Sequence, residues 1–342
     1  MTDLTCLSRR SFMIMPLALA ACGPGVTVLR TGGATMGTSY SVVAIDRSGV
    51  LRESDLDAVI RPALDAVNGQ MSNWDAGSEI SRFNARTGTD AVPVSPALAD
   101  VMQAAQSVHF ASGGRFDTAV GPLIELWGFG APGGRKVPAE REIAAAMTRS
   151  GHANSLDVGA GTLRKLHPDA QVYLAAIGKG YGADQIGRAL KGLGIEDYMV
   201  EIGGDLYASG RNPDGLPWQI GIEMPAANRR DVLKVVGVSD LGLASSGDYR
   251  NFFDQDGTRF SHIVDPRTAR PVTHSTASAT VLAENAMLAD AWATAFHTMG
   301  REEGLALAED LGLAVLFAER AAGPDAPRFT MTASTAFRAL TA

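Results

Sequence analysis

Apolar residues recur at the helical period from about Ser54 to Met71, with Pro62 inside the run as a kink point. Ser95-Pro96 places a capping hydroxyl before a first-turn proline, which predicts a helix from there to near Gly113. A shorter helical pattern covers Ala139 to Ser150, and Ser78 to Asn84 reads as a short helical turn or loop. Tyr40 to Ile45 reads as a strand, and so does Tyr198 to Ile202, which runs into a Gly203-Gly204 turn. After Ser150 the chain is strand-like until Ile177, after which Gly178 to about Lys191 predicts a helix.

Short strands separated by turns continue to Val281. Ser261 to Val264 is a short apolar strand that ends at Asp265-Pro266, because proline biases the residue before it away from helix. A helix from about Asn285 to Met299 stops at Gly300, another begins near Arg301, and a strand covers Leu313 to Phe317. Helices and strands mix without strict βαβ alternation, so the fold class expected is α+β: one mixed domain over 31–342, with antiparallel-rich sheets and packed helices.

The first thirty residues read as an address and a tether. Ser8-Arg9-Arg10-Ser11-Phe12 resembles a twin-arginine export signal, and the apolar run that follows to Ala21 is too short for a stable bilayer span. Leu19-Ala20-Ala21-Cys22 resembles a lipobox. The expectation is a signal peptide over 1–21, a lipid anchor at Cys22, a tether over 22–30, and a periplasmic, membrane-attached protein. A plain signal peptide with a chance cysteine, or an uncleaved anchor, is the other reading. Cys6 and Cys22 are the two cysteines, so the mature fold needs no disulfide. Of the 342 residues 46% are hydrophobic and the net charge is −7 with no basic block, which gives a nucleic-acid partner no electrostatic support.

Candidate chemistry is thinly spread. Asp290 and Thr294 are four apart and share a helical face. Their hard oxygens suit Mg²⁺, although such a pair is more often a helix surface or a local hydrogen bond. Gly178, Gly180 and Gly182 suggest backbone brought close to a ligand, but the spacing is not G-x-G-x-x-G and argues against a Rossmann dinucleotide site. Lys179 within that run could reach a phosphate or cap the helix. Ser245 to Tyr249 is a hydroxyl-rich turn that either binds phosphate or folds back on itself. His262, between apolar neighbours, is a hydrogen-bonded core residue or a reactive group; Trp74 and Tyr173 are stacking platforms or core. No Cys/His metal cluster and no nucleophile elbow is present.

Eight stretches in one order carry more. They are Thr35-Met36-Gly37-Thr38, Ser78 to Asn84, Phe116-Asp117 with Val120 to Leu123, Gly178-Lys179-Gly180-Tyr181 with Asp184, Ile202 to Asp205, Ser246 to Tyr249, Ser261 to Pro266, and Asp290-Ala291 with Ala293-Thr294. Together these resemble the ApbE family of FAD:protein FMN transferases over roughly residues 31–320. The resemblance implies FAD bound with Mg²⁺, attack on its pyrophosphate, and transfer of FMN to a Thr or Ser hydroxyl of a partner protein with release of AMP. It implies flavin or FAD contacts at Met36, Trp74, Arg115, Phe116, Asp117, Tyr173, Lys179 and Ile263. Mg²⁺ would take the Ala176 carbonyl, Asp290 and Thr294. His262 would be the general base, and Asp265 would orient it or help the metal.

Two positions depart from the family. Tyr173 stands where relatives commonly have an Asp that touches the cofactor. Ala269 stands where the Asp-Pro-x-Thr-Gly turn has glycine, which tolerates positive φ better. The implied partners are flavin-carrying subunits of membrane redox complexes: NqrB/NqrC-like subunits of sodium-pumping quinone reductases, RnfG-like subunits, or the NosR-like regulator linked to nitrous oxide reduction. The twin-arginine pattern is similar to NosX-type members. The rival expectations are an FAD carrier that does not transfer, which Tyr173 favours, and a Mg²⁺-dependent FAD pyrophosphatase.

Overall fold

The computed structural model describes residues 26–130, 134–226, 231–321 and 329–342. The export pattern, Cys6 and Cys22 lie outside the described residues. The architecture is a mixed α/β domain built on one eight-stranded antiparallel sheet. Its strands are β1 (Thr27–Thr35), β2 (Thr38–Asp46), β3 (Asp197–Ile202), β4 (Asp205–Ser209), β5 (Leu241–Gly247), β6 (Thr276–Ala283), β7 (Ala314–Arg320) and β8 (Phe329–Ala333). They lie side by side in chain order, so the sheet is a meander and everything else is inserted between neighbours.

The tether ends earlier than its composition suggests. Thr27 to Arg30 belong to β1, paired with β2, because Leu29 buries against the helical side of the sheet. The longest insertion, between β2 and β3, carries the helices Glu53–Met71, Glu79–Ala85, Pro96–Ala111 and Gly178–Gly192. Each follows local rules. Ser95 and Ser78 cap their helices by accepting from Leu98 N and Ser81 N, and Pro62 is accommodated inside the first helix. The helix expected over Ala139 to Ser150 is shorter, Glu140–Met147, with Glu142 reaching back to the Ala139 amide.

Both faces of the central strands are covered, and β6 is buried almost throughout. On one face Ala244, Ala279 and Val281 meet the helix Ala286–Met299, which is capped by Asn285. That helix is alanine-rich and lies against the sheet, and Gly242 makes the approach possible: a Cβ there would sit 2.3 Å from the Asn285 carbonyl carbon. On the other face Leu206, Leu243, Leu282 and Leu316 pack beneath a two-stranded ribbon, Trp218–Glu223 with Val232–Val238. A satellite core of Leu123, Trp127, Ile143, Val264 and Ala269 sits under the segment that follows β5. Among the described residues no helix is long and apolar enough to cross a membrane.

Candidate active site

The chain ends of β3 and β5 and the starts of β4 and β6 meet at one edge of the sheet. A cavity of about 940 Å³ opens there, within the range of small-molecule sites and large enough for a dinucleotide. Its walls bring together Trp74, Arg115, Phe116, Asp117, Tyr173, Ala176, Lys179, His262, Ile263, Asp290 and Thr294. These positions span more than two hundred residues of chain, and only the meander with its insertions makes them neighbours.

The deepest part rests on two helices that cap each other. Asp184, on the helix Gly178–Gly192, accepts from the amides of Ala286 and Met287 at 2.9 Å each, satisfying the free N-terminus of the helix Ala286–Met299. In return Asp290 Oδ2 accepts from Gly180 N at 3.2 Å. The two helices touch because residue 180 has no side chain: a Cβ would lie 2.1 Å from the Ala286 carbonyl oxygen. A Cβ at Gly182 would lie 2.8 Å from Met36 Cε. The glycine run, expected to approach a ligand, therefore serves helix packing at these two positions.

Lys179 occupies the first turn of this helix and its ammonium bonds Asp205, with Asp290 Oδ2 at 3.5 Å. Burial works against its charge, but the two carboxylates outweigh burial and hold it firmly protonated. Burial, reinforced by the nearby Asp205 charge and opposed by Lys179, pushes Asp290 up to about 7. Burial raises Asp205 as well. Two buried carboxylates thus face one ammonium, a local charge deficit that a divalent cation would offset. Asp290, the Thr294 hydroxyl one turn on and the Ala176 carbonyl line the same cavity, and their hard oxygens suit Mg²⁺. Among the described residues no group of three His, Cys, Asp or Glu side chains converges on a metal position, so a cation there needs oxygens from the backbone, from Thr294 and from a bound substrate.

His262 lines the same cavity, between the hairpin Phe252–Gln255/Thr258–Ser261 and the short strand Val264–Asp265. Its Nδ1 is 3.1 Å from the Asn251 carbonyl oxygen. A carbonyl only accepts, so Nδ1 carries the proton. Burial lowers the imidazole pKa, with the Asn251 bond partly opposing, so the ring is neutral near pH 7 and Nε2 keeps a free lone pair. Asp265 does not orient it. Its carboxylate is 2.7 Å from Arg115 Nη1 and accepts from Arg267 N at 2.9 Å. The Asp-Pro turn directs that side chain to its own loop and to Arg115, and a main-chain carbonyl takes over the orienting part. Arg115 also bonds Glu303, which leaves it engaged on two sides.

Of the remaining expected contacts, Trp74, Phe116, Asp117 and Tyr173 line the cavity, and Met36 does not. Trp74 is 64% exposed at the mouth, edge-on to Tyr173 with ring centroids 6.5 Å apart. Burial, with Glu125 beside it, raises the Tyr173 pKa, so the phenol lines the cavity as a neutral ring. Phe116 is buried. Asp117 turns inward, accepting from Ala119 N and His152 N, so its carboxylate braces the wall. Met36 sits at the β1–β2 turn with φ +48°, its side chain packed on Gly182 behind the wall. The turn at Ala269 keeps the left-handed conformation that favours glycine, φ +57°, at a buried alanine whose carbonyl accepts from Trp127 Nε1. Ser245 bonds Thr280, and Asp248 pairs with Arg320, while Ser246 faces the cavity.

Sequence reading assigned no part to Asp205, Asp184, Asn251 or Arg135. The first two stand in the quoted motifs and were visible as acids next to glycines. Asn251 acts through its backbone and leaves no side-chain signal.

Comparison with known proteins shows the family. The profile of the ApbE family matches residues 36–317. The FAD:protein FMN transferase of Vibrio cholerae is 41% identical over 302 residues, covering 88% of this chain and 90% of that protein. The one of Haemophilus influenzae is 38% identical and covers 96% of this chain and 95% of its own. The solved flavin transferase ApbE from Vibrio cholerae superposes with a TM-score of 0.83 at 38% identity, over 92% of this chain and 99% of that one.

Proposed function

The chain belongs to the ApbE family, enzymes that transfer FMN from FAD to a protein, and we propose how its own residues carry that transfer out. The acceptor in this reading is a Thr or Ser hydroxyl of the target. Its oxygen attacks the FMN-side phosphorus of the FAD pyrophosphate. The new P–O bond forms as the bond to the AMP phosphate breaks, and AMP leaves with that electron pair. The hydroxyl proton passes to His262 Nε2.

The single observation that carries this reading is the cavity that brings a neutral, Nδ1-anchored imidazole together with a half-buried ammonium, a buried carboxylate and the hydroxyl one turn on. Lys179 would bind the pyrophosphate as a point charge while Asp205 holds it in place. Asp290, Thr294 and the Ala176 carbonyl would hold Mg²⁺, which when bound neutralises charge developing on the phosphate oxygens. Ile263 and Phe116 exclude water from the reacting centre, and Trp74 with Tyr173 offers aromatic surface to one ring system of FAD.

The target reading is a flavin-carrying subunit of a membrane redox complex. It is supported by the resemblance of the first residues to a twin-arginine signal and a lipobox, from which we infer export to the periplasm and a lipid on Cys22. Cys22→Ser should move the protein from the membrane pellet to the soluble periplasmic fraction; a variant that still pellets removes the anchor.

The experiment on function mixes purified protein, FAD, Mg²⁺ and a candidate target domain, then images a denaturing gel under ultraviolet light. A fluorescent target band is the expected result. Free FMN and AMP without a band would establish a pyrophosphatase, and intact FAD co-eluting with the protein beside an authentic target would establish a carrier. The carrier reading draws on Tyr173, which stands where relatives commonly have an Asp that touches the cofactor and cannot supply its charge.

A further inference from the structure

We propose that Arg135 is a positioning residue for FMN transfer: it fixes the main chain at Asn251–Phe252, whose carbonyl holds His262 with Nε2 turned to the reacting centre. The inference rests on the reading of His262 as the base.

One carbonyl sets the whole attitude of this histidine. The Asn251 oxygen accepts from His262 N at 3.0 Å and from Nδ1 at 3.1 Å. Asn251 lies just outside the hairpin, whose ladder begins with Phe252 opposite Ser261. Past that pair, the His262 amide is the main-chain donor that holds the carbonyl. Arg135 supplies a second restraint, on the Asn251 side chain and the Phe252 carbonyl. Its Nη2 donates to Asn251 Oδ1 at 2.8 Å and its Nη1 to the Phe252 carbonyl at 2.9 Å. The two bonds straddle the peptide that presents the Asn251 oxygen, and a planar fork is the side chain suited to that span.

A second contact follows from the same side chain. The guanidinium sits 5.6 Å from the Phe129 ring centroid, and the Phe129 ring meets His262 edge-on at 6.3 Å. Arg135 thus bounds the imidazole through the carbonyl on one side and through an aromatic wall on the other. Gly128 and the Gly134–Arg135 peptide approach closely. Gly128 has φ +75°, and a Cβ there would lie 2.7 Å from the Gly134 oxygen and 2.8 Å from Arg135 Cα. Arg135 itself is solvent-exposed. A surface arginine that spends its donors on a main-chain segment and an amide, rather than on a carboxylate, is adding order to that segment. The charged groups that act on His262 are Asp248, which favours its proton, and Lys179 and Arg135, which oppose it. His297 is a further imidazole neighbour.

The test is a variant series assayed for FMN transfer with saturating Mg²⁺ and a competent target. Arg135→Gln should lower kcat about tenfold, less than the ~10² expected of a full ångström of misplacement, and leave the Kd for FAD within twofold. Arg135→Lys keeps the charge but loses the fork, so its kcat should fall similarly. The acid limb of kcat/KM should move to higher pH in Arg135→Gln and stay in place in Arg135→Lys. In a His262→Gln background, Arg135→Gln should cost nothing more. Wild-type kcat in Arg135→Gln, an equal loss in the His262→Gln background, or a parallel loss of FAD affinity would each overturn the proposal. Full activity of His262→Gln would remove the base itself, and with it this inference, a result distinct from a failure confined to Arg135.

Discussion

The two walls of the cavity are built on opposite principles. The Asp290 wall belongs to the core: two helices brought into contact by the missing side chain at Gly180, each capped by a carboxylate from the other, with Gly182 seating the first against Met36 and Ile202. The His262 wall belongs to the periphery: a hairpin and turn whose reactive side chain is held by one carbonyl, and whose neighbours are ion pairs and aromatic edges. The first is rigid because nothing in it can move without a clash. The second is ordered only as well as its tethers are. The parts that neutralise pyrophosphate charge must be preorganised, since a field that has to reorganise loses its value. The part that meets the incoming protein must admit a partner.

Breaking the rigid wall chemically should cost most. Asp290→Ala removes the only acidic side chain among the expected metal oxygens, and several kcal/mol of charge stabilisation with it, so Mg²⁺-dependent transfer should fall on the order of 10³–10⁴-fold. Retained turnover would remove the metal assignment. On the peripheral wall, His262→Gln should reduce kcat roughly 10²–10³-fold while FAD still binds, because a positioned base contributes about that much. The acid limb of wild-type kcat/KM should lie below the ordinary histidine value of 6.5, since burial lowers the pKa of this ring. A limb above 6.5 that vanishes in His262→Gln would contradict the burial argument.

Breaking the rigid wall sterically should be read in stability. Gly180→Ala forces a methyl into the Ala286 carbonyl and should cost about 1–3 kcal/mol in denaturant unfolding, with Lys179 and Asp290 pushed apart. An unchanged midpoint would mean that the helices have slack. The helix Ala286–Met299 also carries a buried His297, which burial, with His274 and His262 nearby, pushes down to about 3. The folded protein leaves this ring neutral, while the unfolded chain takes up a proton below 6.5. Stability is therefore fully present above that pH and falls on acidification, by up to about 1.4 kcal/mol per pH unit. His297→Gln should flatten this slope.

The smallest effect belongs to the peripheral turn. Ala269→Gly relieves a left-handed alanine, worth about 1–2 kcal/mol, but gives up a buried methyl of about 0.8 kcal/mol and frees the unfolded backbone by about 0.5–1 kcal/mol. The net change should stay within about 1 kcal/mol. A larger loss would show that this turn also positions Asp265 against Arg115.

The same contrast explains what the sequence disclosed. Asp290, Thr294, Lys179 and the glycines that seat them are local: their spacing along two helices encodes their shared face, and the family resemblance rests on such runs. The reading stopped short at Asp265, because proximity in sequence to His262 does not tell where a carboxylate points. It stopped short at Arg135 and Asn251 for a different reason. A backbone carbonyl has no residue type, and the arginine that holds it lies 116 positions away in the chain.

Amphipathic spacing, caps, breakers and ordered short motifs determined the elements, the α+β class and the family, because those are properties of contiguous residues. The assembly of the cavity was decided only by the tertiary structure. The meander fixes which strand ends share an edge, and insertions of very unequal length carry distant side chains to it. The protonation of Asp290 and His262 was decided there too, since a pKa answers to burial and to neighbouring charges supplied by other segments.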